Sequence, residues 1–258
     1  MPVAAGIYYF AHETDDLSRP PVILIHGAGG HHLFWPPQIR RMPNQRIFAV
    51  DLPGHGKSEV IGYHTIDDYT RKMIGFIKAL KLNAAVLVGH SMGGAVALKA
   101  AIRFPERVLG LCLMGCGPWL RVAPAILQSA SDPSTFQAAV RLITDNSFSP
   151  QADSRLKEPA AQRLAETRPS VMYGDFLACD TYNVTDLLSK VSIPTYILCG
   201  AFDKMVPLKS SEFLRDNIAG AQMDVLPNAG HMLMLEQPNQ TADKLSGFLN
   251  SIPFHPGQ

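Results

Sequence analysis

The sequence has little charge to spare. Among 258 residues, Lys and Arg number 23 and Asp and Glu 22, so the formal net charge is only +1. With no Lys/Arg run, the chain lacks the basic stripe that neutralises phosphates, and nucleic acid is not an expected partner. Cysteine is equally sparse. Cys112, Cys116, Cys179 and Cys199 form no CxxC pair and are too few for a disulfide scaffold, which points to reduced thiols and a cytoplasmic setting. No apolar run approaches the roughly 20 residues of a membrane span. Met1 to Ala11 has no basic n-region, and Asp15-Asp16 follow soon after, so no signal peptide is expected. What the chain does have is apolar mass. At 47% apolar and 17% charged, it can bury one substantial core, with room for an inserted lid.

The pattern of apolar runs predicts an α/β architecture. Val22-Ile23-Leu24-Ile25 and Ile47-Phe48-Ala49-Val50 are continuously apolar, as suits parallel strands buried on both faces. Further strands are expected at 85–88, 108–113, 195–199 and 223–226, with a short one at Ile7-Tyr8-Tyr9-Phe10 near a sheet edge. Between them the period changes. Thr65 with Asp68 resembles a capping box ahead of Tyr69, Met73, Phe76, Ile77 and Leu80 at helical spacing. Helices are also expected over 92–103, from Pro207 to about Ile218, and from Gln237 to about Leu249. Alternation of this kind implies a mostly parallel sheet flanked by helices. It breaks from Gly117 to Asn183, where Asp132-Pro133 reads as the start of an amphipathic helix through Phe136, Ala139, Val140 and Ile143. The domains read as a core of 1–116 and 184–258 carrying a helical cap of 117–183.

One stretch organises the chain. Val86-Leu87-Val88-Gly89-His90-Ser91-Met92-Gly93-Gly94-Ala95 reads as strand, sharp turn and helix with a serine at the apex, the context that Gly-x-Ser-x-Gly needs. Glycines at 89 and 93 remove side chains that would strike the strand and the helix. Two more groups also follow strands: Asp203 in Gly200-Ala201-Phe202-Asp203 and His231 in Asn228-Ala229-Gly230-His231. In open α/β sheets, sites form at these carboxyl ends. Taken alone, Asp203 also reads as a loop cap and His231 as a surface-loop histidine.

Together these motifs resemble the α/β-hydrolase-fold serine hydrolases of the carboxylesterase/lipase type. The resemblance spans His26-Gly27, Asp51-Leu52-Pro53-Gly54-His55-Gly56-Lys57-Ser58, Gly89-His90-Ser91-Met92-Gly93-Gly94, Gly200 to Asp203 with Pro207, and Gly230-His231. Nucleophile, acid and base also fall in the order that this fold uses. The region before Val22 is short, so the antiparallel edge of the family sheet is expected to be curtailed. The cap would follow the sixth family strand.

The resemblance implies a cofactor-free enzyme that cleaves carboxylic esters of small to medium acyl chains through an acyl-serine. Ser91 would attack, His231 would relay the proton, and Asp203 would orient His231. The Met92 amide at the helix N-terminus, and by resemblance the Ala28 amide, would form the oxyanion hole. Trp119, Met172, Phe176, Val206 and Met232 are the candidate apolar lining for a small-molecule ester. A C–C bond hydrolase of ring-cleavage products, a perhydrolase and a non-catalytic receptor share the fold and stay open as alternatives. The chain would be a monomer or homodimer. Asp51, His26 and His55 read as structural hydrogen-bonders in their turns. Metal is not expected: His31-His32 has no carboxylate or cysteine at ligand spacing. His255 lies in the tail, and Cys116 near the presumed cleft.

Overall fold

The computed structural model describes residues 2–14 and 17–254. Asp15, Asp16 and His255 lie outside the described residues. Eight strands form one sheet in the order β1-β2-β4-β3-β5-β6-β7-β8. They are β1 (Val3–Ala4), β2 (Ile7–His12), β3 (Val22–Ile25), β4 (Ile47–Val50), β5 (Ala85–His90), β6 (Val108–Met114), β7 (Thr195–Gly200) and β8 (Gln222–Leu226). From β4 to β8 all neighbours are parallel. The sheet edge expected to be short is present. β2 pairs antiparallel with β4, and β1 with β2. Brevity hid β1, which is two residues long and gives no detectable alternation.

The helices are α1 (Pro37–Arg40), α2 (Ile66–Ala79), α3 (Met92–Arg103), α4 (Pro124–Ser131), α5 (Phe136–Ser147), α6 (Ser154–Ala165), α7 (Pro169–Asp180), α8 (Leu208–Asn217), α9 (Leu233–Glu236) and α10 (Pro238–Ser251). Strand periodicity divides the core between the two faces of the sheet. Ile23, Ile25 and Leu87 pack with α2 and α3 residues such as Met73, Ile77 and Val96. Val22, Leu24, Val86 and Val88 pack instead with Ile39 of α1 and with Leu245 and Leu249 of α10. Every residue of β3, β4, β5 and β7 is buried, which explains their unbroken apolar runs. Full burial of one such aliphatic side chain contributes about 1.5–3 kcal/mol.

The start of α2 follows the sequence closely: the Thr65 hydroxyl accepts the Asp68 amide at 3.1 Å. Asp132-Pro133 does not start a helix. α4 ends at Ser131, Asp132 Oδ1 accepts the Ser134 amide at 2.8 Å in a tight turn, and α5 begins at Phe136. The aspartate satisfies a turn amide there rather than a helical one. Helices α4 to α7 all lie between β6 and β7. No helix among the described residues is long and apolar enough to cross a membrane.

Candidate active site

Ser91 sits where β5 meets α3, with φ 52° and ψ −118°. A non-glycine residue with positive φ stores strain, and such strain persists only where the surroundings enforce it. Here they do. The Ser91 amide donates to the Met114 carbonyl of β6 at 2.9 Å, and the Ser91 carbonyl accepts the Gly94 amide at 2.9 Å. A Cβ at Gly89 would strike the Gly93 carbonyl, and one at Gly93 would strike the Ile25 and His26 carbonyls. The turn is therefore folded tightly on itself and packed against the end of β3. Met92 takes the first position of α3, so its amide has no acceptor within the helix.

Asp203 follows β7 and is buried. Its Oδ1 accepts the amides of Met205 at 2.9 Å and Val206 at 2.8 Å, and its Oδ2 accepts His231 Nδ1–H at 2.8 Å. A carboxylate only accepts, so this bond places the proton on Nδ1 and leaves Nε2 to face other groups. The His231 loop is held in turn by neighbours. His90 Nε2 donates to the His231 carbonyl at 3.0 Å, and the Met232 amide donates to the Ser147 carbonyl at 3.0 Å. Burial, then the adjacent His231, pushes the His90 imidazole well below its usual value, which keeps it neutral.

Two cavities meet at Ser91. One of about 190 Å³ is lined by Ala28, Ser91, Ile126, Phe176, Cys179 and Val206, among others, with Arg121 and Lys204 also in its wall. A narrower one of about 30 Å³ is lined by Ser91, His231, Ala28, Phe176 and Met232, among others. Ser91, His231 and Ala28 are thus brought to one space. Phe176 and Met232 line it as well, and Val206 lines the larger cavity beside it. Trp119 and Met172 stand elsewhere. Trp119 lines an adjoining cleft and packs edge-on against Phe213 with ring centroids 5.2 Å apart. Met172 is fully buried, its methyl occupying the space beside Gly29 where a Cβ would be. The thiol in the wall is Cys179. Cys116 lies beneath the elbow against Gly94, where burial pushes its thiol up to about 12.

The motif around Asp51 forms a hydrogen-bonded turn. Asp51 Oδ1 accepts the His32 amide and His32 Nδ1–H, both at 2.7 Å, and Oδ2 accepts the Lys57 amide at 3.0 Å. The fold therefore brings a carboxylate to His31-His32, which their spacing in sequence did not foretell. The donor set fits a metal poorly. Asp51 and His32 already bind each other through the atoms a metal would take, and His31, whose Nδ1 accepts the Leu33 amide at 3.3 Å, has only Nε2 left to offer. His26 ties its turn to a neighbouring one, its Nε2 accepting the Leu52 amide after β4 at 2.9 Å, and His55 Nδ1–H donates within its own turn to the Pro53 carbonyl at 3.0 Å.

The sequence profile of the Alpha/beta hydrolase family matches residues 22–244. This chain belongs to the alpha/beta hydrolase family. Among curated relatives, human monoacylglycerol lipase ABHD6 is 28% identical over 267 residues, covering 91% of this chain and 76% of the relative. The 3-oxoadipate enol-lactonase 1 of Acinetobacter baylyi is 27% identical over 243 residues, covering 91% of this chain and 90% of the relative. A solved thermophilic esterase is similar at 30% identity and TM-score 0.81, covering 95% of this chain and 98% of its own. The eight-stranded sheet, antiparallel edge included, is thus that of the α/β hydrolase fold.

Supports of this site that escaped sequence reasoning include His90, Glu236 and Asp175. His90 lies inside the elbow motif, where the variable position gives no cue to its partner. Glu236 and Asp175 sit on helices with no motif around them, and Asp175 bonds Gly29 from 146 positions away.

Proposed function

We propose that this hydrolase cleaves carboxylic esters of small to medium acyl chains through an acyl-serine intermediate. One observation carries the reading: Asp203 holds His231 by Nδ1 while His231 and the strained Ser91 line the same narrow cavity. The Ser91 oxygen attacks the ester carbonyl as His231 Nε2 takes its proton. The oxyanion that forms is met by the amides of Ala28 and Met92, and loss of one such donor costs about 2.7–4 kcal/mol in the transition state. His231 then hands the proton to the departing alkoxide as the C–O bond breaks. A water, deprotonated by the same nitrogen, releases the acid and restores Ser91.

Phe176, Val206 and Met232 supply the apolar wall for the acyl chain, and segment 117–183 acts as the cap above the core of 1–116 and 184–258. The apolar lining and the roughly 190 Å³ cavity favour short chains over long ones. Four free, buried thiols support a reducing compartment, in keeping with a cytoplasmic protein.

Lactone opening is the same chemistry on a cyclic ester, and similarity to an enol-lactonase over 91% of this chain favours it as the second reading. The test is a panel of p-nitrophenyl esters of increasing chain length, with an enol-lactone, a ring-cleavage dienol-dione and a peroxide-dependent assay alongside. Turnover that peaks on short esters and disappears in Ser91→Ala is the expected result. Ester turnover near the wild-type rate in Ser91→Ala would overturn it.

A further inference from the structure

The mechanism above leaves two buried carboxylates unused, Asp51 in its own turn and Asp175. Asp175, on α7, is fully buried and accepts three hydrogen bonds. Its Oδ2 accepts the Gly29 amide and His55 Nε2–H, each at 2.8 Å, and its Oδ1 accepts the Tyr69 hydroxyl at 2.6 Å. A buried carboxylate is expensive unless saturated in this way, and packed apolar residues often stabilise a fold as well or better. The position of this one therefore calls for a reason beyond stability.

The reason lies in what it grips. The Thr167 hydroxyl, in the turn before α7, donates to the Gly29 carbonyl at 2.8 Å. Both backbone groups of Gly29 are thus held by side chains from segment 117–183. The loop is closed further by the Gly30 amide, which donates to the Gly27 carbonyl at 3.0 Å. Gly29 itself stands at φ +65° with the Met172 methyl packed beside it, so a side chain could not take its place. The Gly29 amide belongs to the peptide that begins at the Ala28 carbonyl. Fixing that peptide holds the carbonyl side of Ala28, while the Gly30 bond to the Gly27 carbonyl holds the preceding peptide, which carries the Ala28 amide; Ala28 lines both cavities at Ser91.

We propose that Asp175 and Thr167 are positioning residues that clamp Gly29 and thereby aim the Ala28 amide at the developing oxyanion. The inference rests on the reading of Ser91 as the nucleophile and Ala28 as an oxyanion donor. His55 completes the clamp. Its Nδ1 and Nε2 both donate, to the Pro53 carbonyl and to Asp175, so it is an imidazolium. Burial, the largest single influence, opposes that charge, but Asp175 with the Pro53 carbonyl and Asp51 together overcome it and raise the imidazole above its usual value. The pair ties the cap, the Gly29 loop and the Pro53-Gly54-His55 turn into one unit. Catalytic competence then depends on a docked cap, because without α7 and the turn before it the Gly29 loop loses both side-chain partners.

The test compares Thr167→Val, isosteric but unable to donate, with Asp175→Asn and with Thr167→Ser as the conservative rescue. Thr144→Val is the control, a buried threonine whose hydroxyl bonds the Val140 carbonyl of its own helix at 2.8 Å. Thr167→Val is expected to lower kcat on p-nitrophenyl butyrate at least about tenfold with KM within about twofold. Inhibition by a phenylboronic acid, whose tetrahedral adduct fills the oxyanion hole, should weaken by the same factor. Thr167→Ser should restore both, and Asp175→Asn should speed amide exchange at Gly29. A folded Thr167→Val enzyme with wild-type kcat, or one that loses kcat but keeps full boronate affinity, would overturn the clamp. If Asp175→Asn does not fold, Thr167→Val and Thr167→Ser decide the matter alone. Should Ser91→Ala keep turnover, the hydrolase reading fails, and exchange at Gly29 in the Asp175 and Thr167 variants still decides whether the clamp exists.

Discussion

Asp203 holds His231 with one oxygen and two backbone amides with the other: Oδ2 lies 2.8 Å from His231 Nδ1, while Oδ1 takes the Met205 and Val206 amides. The carboxylate cannot turn without giving up a bond, so its orientation, and that of the imidazole, is set in the resting protein. Asp203→Asn keeps the shape but not the polarity. With its oxygen retained by the two amides, the new NH₂ faces His231 Nδ1 and drives the proton to Nε2, where it blocks abstraction from Ser91. The expected loss in kcat is about 10³–10⁴-fold with far less change in KM. Steady-state kinetics on p-nitrophenyl butyrate measures it, and a loss below about tenfold counts against the role of Asp203.

The strain at Ser91 makes a second, opposite-signed prediction. At φ 52° a glycine pays no Cβ penalty, whereas serine and alanine do. Ser91→Gly should therefore abolish turnover yet stabilise the fold by about 1 kcal/mol relative to Ser91→Ala, raising Tm by about 2–4 °C. Gly93→Ala should do the reverse and cost at least about 2 kcal/mol, since its Cβ meets the Ile25 and His26 carbonyls. Thermal melts of the three variants decide. Equal melting points for Ser91→Gly and Ser91→Ala would remove strain from the account.

Much of this was legible in the chain itself, for identifiable reasons. The central strands could be read because burial on both faces leaves uninterrupted apolar runs such as Val22 to Ile25. The elbow could be read because backbone crowding forces glycine at 89 and 93. That Asp203 and His231 would come together could be anticipated because the βα pattern put each just after a strand. What could not be read depends on partners far along the chain. Asp175 and Thr167 meet Gly29 from 146 and 138 positions away, and no local pattern marks either. Met172 had the right chemistry for pocket lining, but the fold uses it behind the Gly29 loop. Asp51, just after β4, reaches His32 in the loop after the neighbouring parallel β3, which linear spacing cannot display.

Glu236 offers a test of how the His231 loop is hung. Its Oε1 accepts the Gly230 amide at 2.8 Å and its Oε2 accepts the Ser149 amide at 2.9 Å. One carboxylate therefore joins the residue before His231 to the segment just after α5. Glu236→Gln turns one acceptor into a donor facing an N–H, and an unsatisfied group of this kind costs about 1–3 kcal/mol. Urea unfolding should register that loss. Because the displaced loop carries His231, kcat should also fall by about tenfold while KM holds. Loss of stability with unchanged kcat would limit Glu236 to a purely architectural role.

Protonation of His26 is expected to destabilise the fold in acid. Its Nδ1–H donates to the Gly27 carbonyl at 2.7 Å and its Nε2 accepts the Leu52 amide at 2.9 Å, so only the neutral ring satisfies both. Burial first, and then the nearby His55, push its pKa down to about 3, against weaker upward pulls from the Gly27 carbonyl, Asp51 and Asp175. The unfolded chain keeps a value near 6.5, so between about pH 6.5 and 3 it binds a proton that the folded chain refuses. The contribution is thus fully present above about pH 6.5 and is lost by up to roughly 1.4 kcal/mol per unit as pH falls toward 3. His55, raised rather than lowered, runs the other way: its contribution is full below about pH 6.5 and fades as pH rises through its folded value. Comparing wild type with His26→Gln cancels the His55 term, because both proteins keep it. The stability gap from urea unfolding should narrow steadily from about pH 7.5 to 4.5. A gap that stays constant over that range would show that His26 takes up its proton in the folded state as readily as in the unfolded one.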